Sequence, residues 1–340
     1  MRKAVPIGVA VALMSACVLA TDAPPNPAVH GQVGNGRSPE DKTEHVGKPN
    51  EWIHVEHVAK SGNRITAKVR KGTSANLILI PGTWGSADFR TRLVEALNPD
   101  LTLVCVALAG QDDNWPPPGD PSIPQFSQDV LCLADKLGLE NFFVGGNSLG
   151  GMISIDMLRL CPERILGAIS IEGWTHWQAS VRAFGGDTTS TLTAEQRNYI
   201  EQVRRKLLGR WEPALRDKYG AMWKKWNGWE TLATTQVPVL EIWGDRRRAR
   251  PSREKMLIPD RDNIRLEWIA GASHSLLIEA PEQLAELINR FVEANRKVAP
   301  PADQPTAMCL LDRHHAKTIP LKVVAFIEPR APSRNDGQGR

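Results

Sequence analysis

From Trp52 onward the chain carries two kinds of apolar pattern in succession. "EWIHVEHVAK" and "RITAKVRK" alternate apolar and polar positions on either side of "SGN", which predicts an opening hairpin. "ANLILIPG" is then apolar without interruption until Pro-Gly stops it, as suits a strand buried on both faces. Phe89, Leu93 and Leu97 recur at helical spacing and predict a helix from Phe89 to Asn98, with Asp88 placed to accept its first free amides. The strand "LTLVCVAL", the loop "AGQDDNWPPPGDPSIP", a helix around "DVLCLADKLGL" and the strand "NFFVGG" follow. "MISIDMLRL" reads as a buried helix, and "ILGAISIE", residues 238–243 and residues 264–269 as three more strands. The last helix, "PEQLAELINRFVEA", sets Leu284, Leu287, Ile288, Phe291 and Val292 on one stripe. Strands alternating with helices predict an α/β fold on a mainly parallel sheet.

An insertion at 174–235 breaks this alternation and reads as helical. Thr193 and Gln196 fit a capping box, after which Ile200, Val203, Leu207 and Trp211 keep helical spacing. The insertion holds six of the eleven tryptophans, namely Trp174, Trp177, Trp211, Trp223, Trp226 and Trp229. Placed at the carboxyl edge of a parallel sheet, it is expected to act as a cap, with most of these rings in its own small core. Trp174 and Trp177, with Trp84, are the candidates for lining a substrate pocket.

The flanks differ from this body. Arg2 and Lys3 precede an apolar stretch to Ala20, the pattern of an export signal over residues 1–20. Within it, "LMSAC" resembles the bacterial lipobox, which would lipidate Cys17 and tether the protein to a membrane; cleavage after Ala20 is the alternative. Residues 21–50, with five prolines and four glycines, read as a flexible linker. The segment 298–340 reads as a mostly disordered tail, leaving 51–173 and 236–297 as the core. Export places the protein in the cell envelope or outside the cell.

A net charge of +4 lacks the concentrated basicity of a nucleic-acid binder. The five cysteines show no paired CxxC spacing, and Cys105 reads as a small buried strand residue. Asp112 and Asp113 have no clustered ligands, so neither metal nor cofactor is expected. Arg246, Arg247, Arg248 and Arg250 read as a solvated charge run.

The chemistry gathers at "VGGNSLGGMIS". Gly146, Ser148 and Gly150 form G-x-S-x-G between an apolar strand and a buried helix, the arrangement in which a tight turn lifts a serine into reach. The helix start also leaves the Leu149 amide free to face a developing oxyanion. On these residues the chain resembles the α/β-hydrolase superfamily over about 51–297, which implies that fold: a mainly parallel sheet with an opening hairpin, helices on both faces and a helical cap. The resemblance implies a second oxyanion amide from "PGTWGS", at Thr83, with Pro81 where the family often has histidine. It also makes "GASHSLLIEAPEQLAELINRFV" the histidine loop and last helix, with His274 as base. His54 and His57 fall in the first strand as surface residues.

The acid has two candidates. "WGDRRRARP" has Arg247 at the family's usual acid position, with Asp245 two residues early. "PERILGAISIEGW" resembles the segment from which a group of haloalkane dehalogenases draws its acid, with Glu172 at the matching place. Those dehalogenases use an aspartate nucleophile, whereas Ser148 implies acyl transfer, most simply the cleavage of a partly apolar carboxylic ester through an acyl-enzyme. Carbon–carbon bond hydrolysis is the alternative, since "GNSLGG" also resembles the elbow of meta-cleavage product hydrolases; a non-catalytic binding protein is another.

Overall fold

The computed structural model describes residues 51–85 and 91–296, so the expected export signal, Cys17, the expected linker and the expected tail lie outside the described residues. Three of the cysteines, Cys105, Cys132 and Cys161, are buried, and none of them is in a disulfide among the described residues. Among the described residues no helix is long and apolar enough to cross a membrane.

Eight strands form one sheet: β1 (Trp52–Val58), β2 (Arg64–Arg70), β3 (Asn76–Ile80), β4 (Thr102–Ala107), β5 (Phe142–Asn147), β6 (Ile165–Ile171), β7 (Val239–Gly244) and β8 (Ile264–Ile269). Their order is β1-β2-β4-β3-β5-β6-β7-β8. The opening hairpin is antiparallel, as its alternation predicts, and β2 pairs antiparallel with β4. Every later pairing is parallel. The apolar runs of β3 and β5 lie inside the sheet and are almost wholly buried.

The helices are α1 (Thr91–Ala96), α2 (Ile123–Lys136), α3 (Leu149–Leu160), α4 (Trp177–Phe184), α5 (Ala194–Leu208), α6 (Pro213–Ala221), α7 (Trp229–Thr234), α8 (Arg253–Met256), α9 (Leu276–Glu279) and α10 (Pro281–Asn295). One apolar cluster joins α2 and α3 to one face of the sheet, and another joins α1 and α10 to the opposite face. The first ten residues of α3 are all buried, because it lies between the sheet and other helices and keeps no wet stripe. Two boundaries differ from expectation. The described part of α1 ends at Ala96, short of Asn98, while Phe89 and Asp88 lie outside the described residues. Helix α2 starts at Ile123, inside the expected loop, because Ser122 caps it and proline is tolerated in a first turn.

The strand order creates the site. From β3 the chain crosses to β4, and from β5 it crosses the other way to β6, so the loops leaving β3 and β5 diverge and open a crevice at their carboxyl ends. Helices α4 to α7, inserted between β6 and β7, occupy the stretch expected to form the cap. The capping box at the start of α5 is complete: Gln196 N–H donates to Thr193 Oγ1 at 3.1 Å, and Thr193 N–H donates to Gln196 Oε1 at 2.9 Å.

Candidate active site

Ser148 stands between β5 and α3 with φ 55° and ψ −115°. A non-glycine residue held there costs about 1–3 kcal/mol and persists where its surroundings over-determine it. Those surroundings are tight. The Ser148 amide donates to the Ile171 carbonyl at 2.8 Å, and its own carbonyl receives the Met152 amide at 3.1 Å. A side chain on Gly146 or on Gly150 would collide with the Ile80 carbonyl, which is why glycines flank the turn. Leu149, the first residue of α3, begins the turn whose amides lack intrahelical partners.

The loop after β3 meets this turn: a Cβ built on Gly82 would lie 3.5 Å from the Ser148 Cβ. Its orientation comes from Gln111, a buried side chain in the loop after β4 that sequence reasoning did not single out. Gln111 Nε2 donates to the Gly82 carbonyl at 2.8 Å and to the Thr83 carbonyl at 3.2 Å, while its Oε1 accepts from Leu108 N–H at 3.1 Å. In a planar trans peptide the N–H points opposite to the C=O. Held by its carbonyl, the Gly82–Thr83 peptide therefore has its N–H, that of Thr83, directed away from Gln111.

Glu172 follows β6 with φ 53°, fully buried. Its Oε2 lies 3.3 Å from His274 Nδ1. Its Oε1 accepts the Gly244 amide at 2.7 Å and Arg246 Nη1 at 2.8 Å, and Arg246 Nη2 reaches Oε2 at 2.6 Å. Burial by itself would push this carboxyl up; the Arg246 hydrogen bonds and charge, with those of His274, outweigh burial and hold it below the usual carboxylate range. Asp245, the other candidate acid, is engaged elsewhere: its Oδ1 accepts the Arg247 amide at 2.9 Å and the Gly271 amide at 2.8 Å, so it staples the β7 loop to the turn after β8.

Arg246 departs from the expected solvated run. It is buried, whereas Arg247, Arg248 and Arg250 are exposed. A hydrogen-bonding partner at the end of β6 draws it inward, and its guanidinium lies over the Phe184 ring at 3.8 Å. "GDRRR" offers nothing that separates its first arginine from the others.

The His274 ring is stacked on Trp174, 5.1 Å between centroids and 15° between planes, and Trp174 packs on Trp223 at 5.2 Å. Asn147 Nδ2 donates to the His274 carbonyl at 3.3 Å and ties the residue before Ser148 to the histidine loop. No Ser148–His274 hydrogen bond is present among the described residues, and in ligand-free sites that bond often tightens only when substrate arrives. Trp84 packs against Trp211 at 5.5 Å and Tyr219 at 5.0 Å. Trp177, another candidate for lining the pocket, is 36% exposed and leans on His176 at the start of α4. Trp229 is also exposed, so the tryptophans of the insertion divide between its core and its surface.

A strand, a strained serine turn, a buried helix and a carboxylate–histidine contact between the loops after β6 and β8 define a class of α/β enzymes, the hydrolases built on a nucleophile elbow. The chain belongs to the alpha/beta hydrolase family, whose family model matches residues 77–287. Carboxylesterase YbfK of Bacillus subtilis is 25% identical over 194 residues, 49% of this chain and 62% of that protein. RutD of Azorhizobium caulinodans, named as a candidate carbamate hydrolase, is 26% identical over 111 residues, 33% of this chain and 42% of that protein. The chain thus matches less than two thirds of the length of these curated relatives. A thermophilic esterase from Thermogutta terrifontis superposes with a TM-score of 0.56 at 20% identity, covering 72% of this chain and 99% of that one, which shows a shared fold.

Proposed function

We propose that this hydrolase cleaves carboxylic esters through an acyl-enzyme on Ser148. His274 Nε2 takes the hydroxyl proton as Oγ attacks the ester carbonyl, and the Thr83 and Leu149 amides receive the oxyanion. The imidazolium then protonates the leaving alcohol, and the same base activates the water that releases the acid. The observation that carries this reading is the Glu172 Oε2 to His274 Nδ1 contact of 3.3 Å, which leaves Nε2 as the free ring nitrogen. The broad faces of Trp84, Trp174 and Trp223 support a partly apolar acyl or alcohol group.

The test is covalent labelling by a fluorophosphonate, followed by hydrolysis of nitrophenyl esters of increasing chain length and of a nitrophenyl carbamate. Labelling of the wild type that disappears in Ser148→Ala, with turnover of at least one ester, is expected. An unlabelled wild type would favour the non-catalytic reading, and a preference for the carbamate would replace the ester. In the same labelled cells, the export signal leads us to expect the adduct in the envelope or the medium. Recovery from the cytosol alone would refute export.

A further inference from the structure

The arginine behind the buried carboxylate does more than fill space. Arg246 and Arg247 both adopt a left-handed backbone, φ 55° and 56°, yet only Arg246 turns its side chain in from the β7 loop, toward the Glu172 carboxylate. Its guanidinium then meets Glu172 as a two-pronged fork, Nη1 to Oε1 at 2.8 Å and Nη2 to Oε2 at 2.6 Å, the strongest geometry available to such a pair. The Nε donates to the Asp187 carbonyl at 3.1 Å and fixes the third edge of the plane. Glu172 and Arg246 are both almost wholly removed from water. A carboxylate needed only to orient an imidazole requires no cation on its far side. With one there, the charge behind the His274 ring is close to zero instead of −1.

We propose that Arg246 is a positioning residue of this site: it keeps Glu172 ionised and facing His274, and by offsetting that charge it sets the pH at which the Glu172–His274 pair takes up its first proton. The proposal rests on the reading of Ser148 and His274 as nucleophile and base. The pair is the unit that titrates, so the conclusion holds whichever member carries the proton. A proton added beside an uncompensated buried anion is bound more tightly than one added beside a neutral ion pair.

Other charged groups near the pair are committed elsewhere. Glu241 on β7, which feels Glu172 and Arg253, is pushed by burial up to about 8 and is mostly uncharged below that pH. Asp187 is paired with Arg248 at 2.7 Å, Asp245 with the Arg247 and Gly271 amides, and Glu279 with Ser273 and Thr191. Among the described residues, Arg246 is the cation bonded to Glu172.

The experiment measures the rate of fluorophosphonate labelling against pH for the full chain, which requires no knowledge of the substrate. Wild type and Ser148→Ala come first: label absent from the wild type, or retained in Ser148→Ala, ends the reading of the site and this proposal with it. Given labelling at Ser148, Arg246→Met keeps an apolar stem over Phe184 but removes the charge. Its acid limb is expected to move up by about one pH unit or more, while Arg246→Lys, which keeps the charge, stays near the wild type. A folded Arg246→Met whose acid limb coincides with the wild-type limb, even at a lower plateau rate, overturns the proposal, because a merely structural role lowers the rate without moving the profile. Should the methionine variant not fold, Arg246→Gln, neutral yet able to donate hydrogen bonds to Glu172, is judged by the same shift.

Discussion

At the scale of single residues, two carboxylates compete for one role and their hydrogen bonds separate them. Glu172 faces His274, whereas Asp245 spends its reachable oxygen on the Arg247 and Gly271 amides. Glu172→Gln is therefore expected to lower kcat/KM on a nitrophenyl ester by roughly 10³–10⁴-fold, since the amide neither holds the productive tautomer nor stabilises the imidazolium. Asp245→Asn should leave that rate within about threefold and cost less than about 1 kcal/mol in urea unfolding, because the amide oxygen can still accept both backbone hydrogen bonds. Opposite results for the two variants would move the acid role to Asp245. Sequence could name both but not choose, because they follow neighbouring parallel strands and both fall near the histidine loop.

At the scale of elements, the strand–turn–helix around Ser148 depends on close approach to the end of β3. A methyl on Gly150 would strike the Ile80 carbonyl and come within 3.0 Å of the Pro81 carbonyl, both backbone atoms that cannot swing aside. Gly150→Ala should cost about 3 kcal/mol in unfolding free energy and lose fluorophosphonate labelling. Gly119→Ala, where a Cβ meets nothing within 4 Å, is the control and should stay within about 0.5 kcal/mol. Equal stabilities in the two variants would show that the elbow tolerates a wider turn than its packing implies. The glycines themselves were legible beforehand as part of G-x-S-x-G. That Gln111 orients the neighbouring loop was not, because a glutamine in a proline-rich loop has no spacing or pattern to mark it.

For the molecule as a whole, stability should depend on pH through two buried glutamates of opposite sign. Glu241, whose Oε2 accepts from Trp243 Nε1 at 3.1 Å, is raised by burial from 4.5 to about 8. Between those values the folded chain holds a proton that the unfolded chain has released, so this contribution is complete below pH 4.5 and is lost as pH rises toward 8. Glu172, held low by Arg246, contributes in the other direction: its stabilisation is present above 4.5 and is lost as pH falls below its folded value. Urea unfolding at a series of pH values should show the wild type losing up to about 1.4 kcal/mol per unit across the upper window. Glu241→Gln, which mimics the neutral acid, should flatten that slope, and an unchanged slope would assign the pH dependence to other groups.

The sequence by itself determined what depends on neighbours along the chain. Apolar runs ended by turn residues mark buried strands, helical spacing marks α5 and α10, and a serine between glycines at a strand-to-helix boundary marks the candidate nucleophile. Only the tertiary structure decided which distant groups share that serine's surroundings. The order β4-β3-β5-β6-β7 brings Gln111, Thr83, Ser148, Glu172 and Arg246 to one edge of the sheet, although they are drawn from the loops of five separate strands. The physical reason is that a side chain's charge state and direction follow from what desolvates it and what it can reach across strands, as the three exposed arginines beside buried Arg246 illustrate.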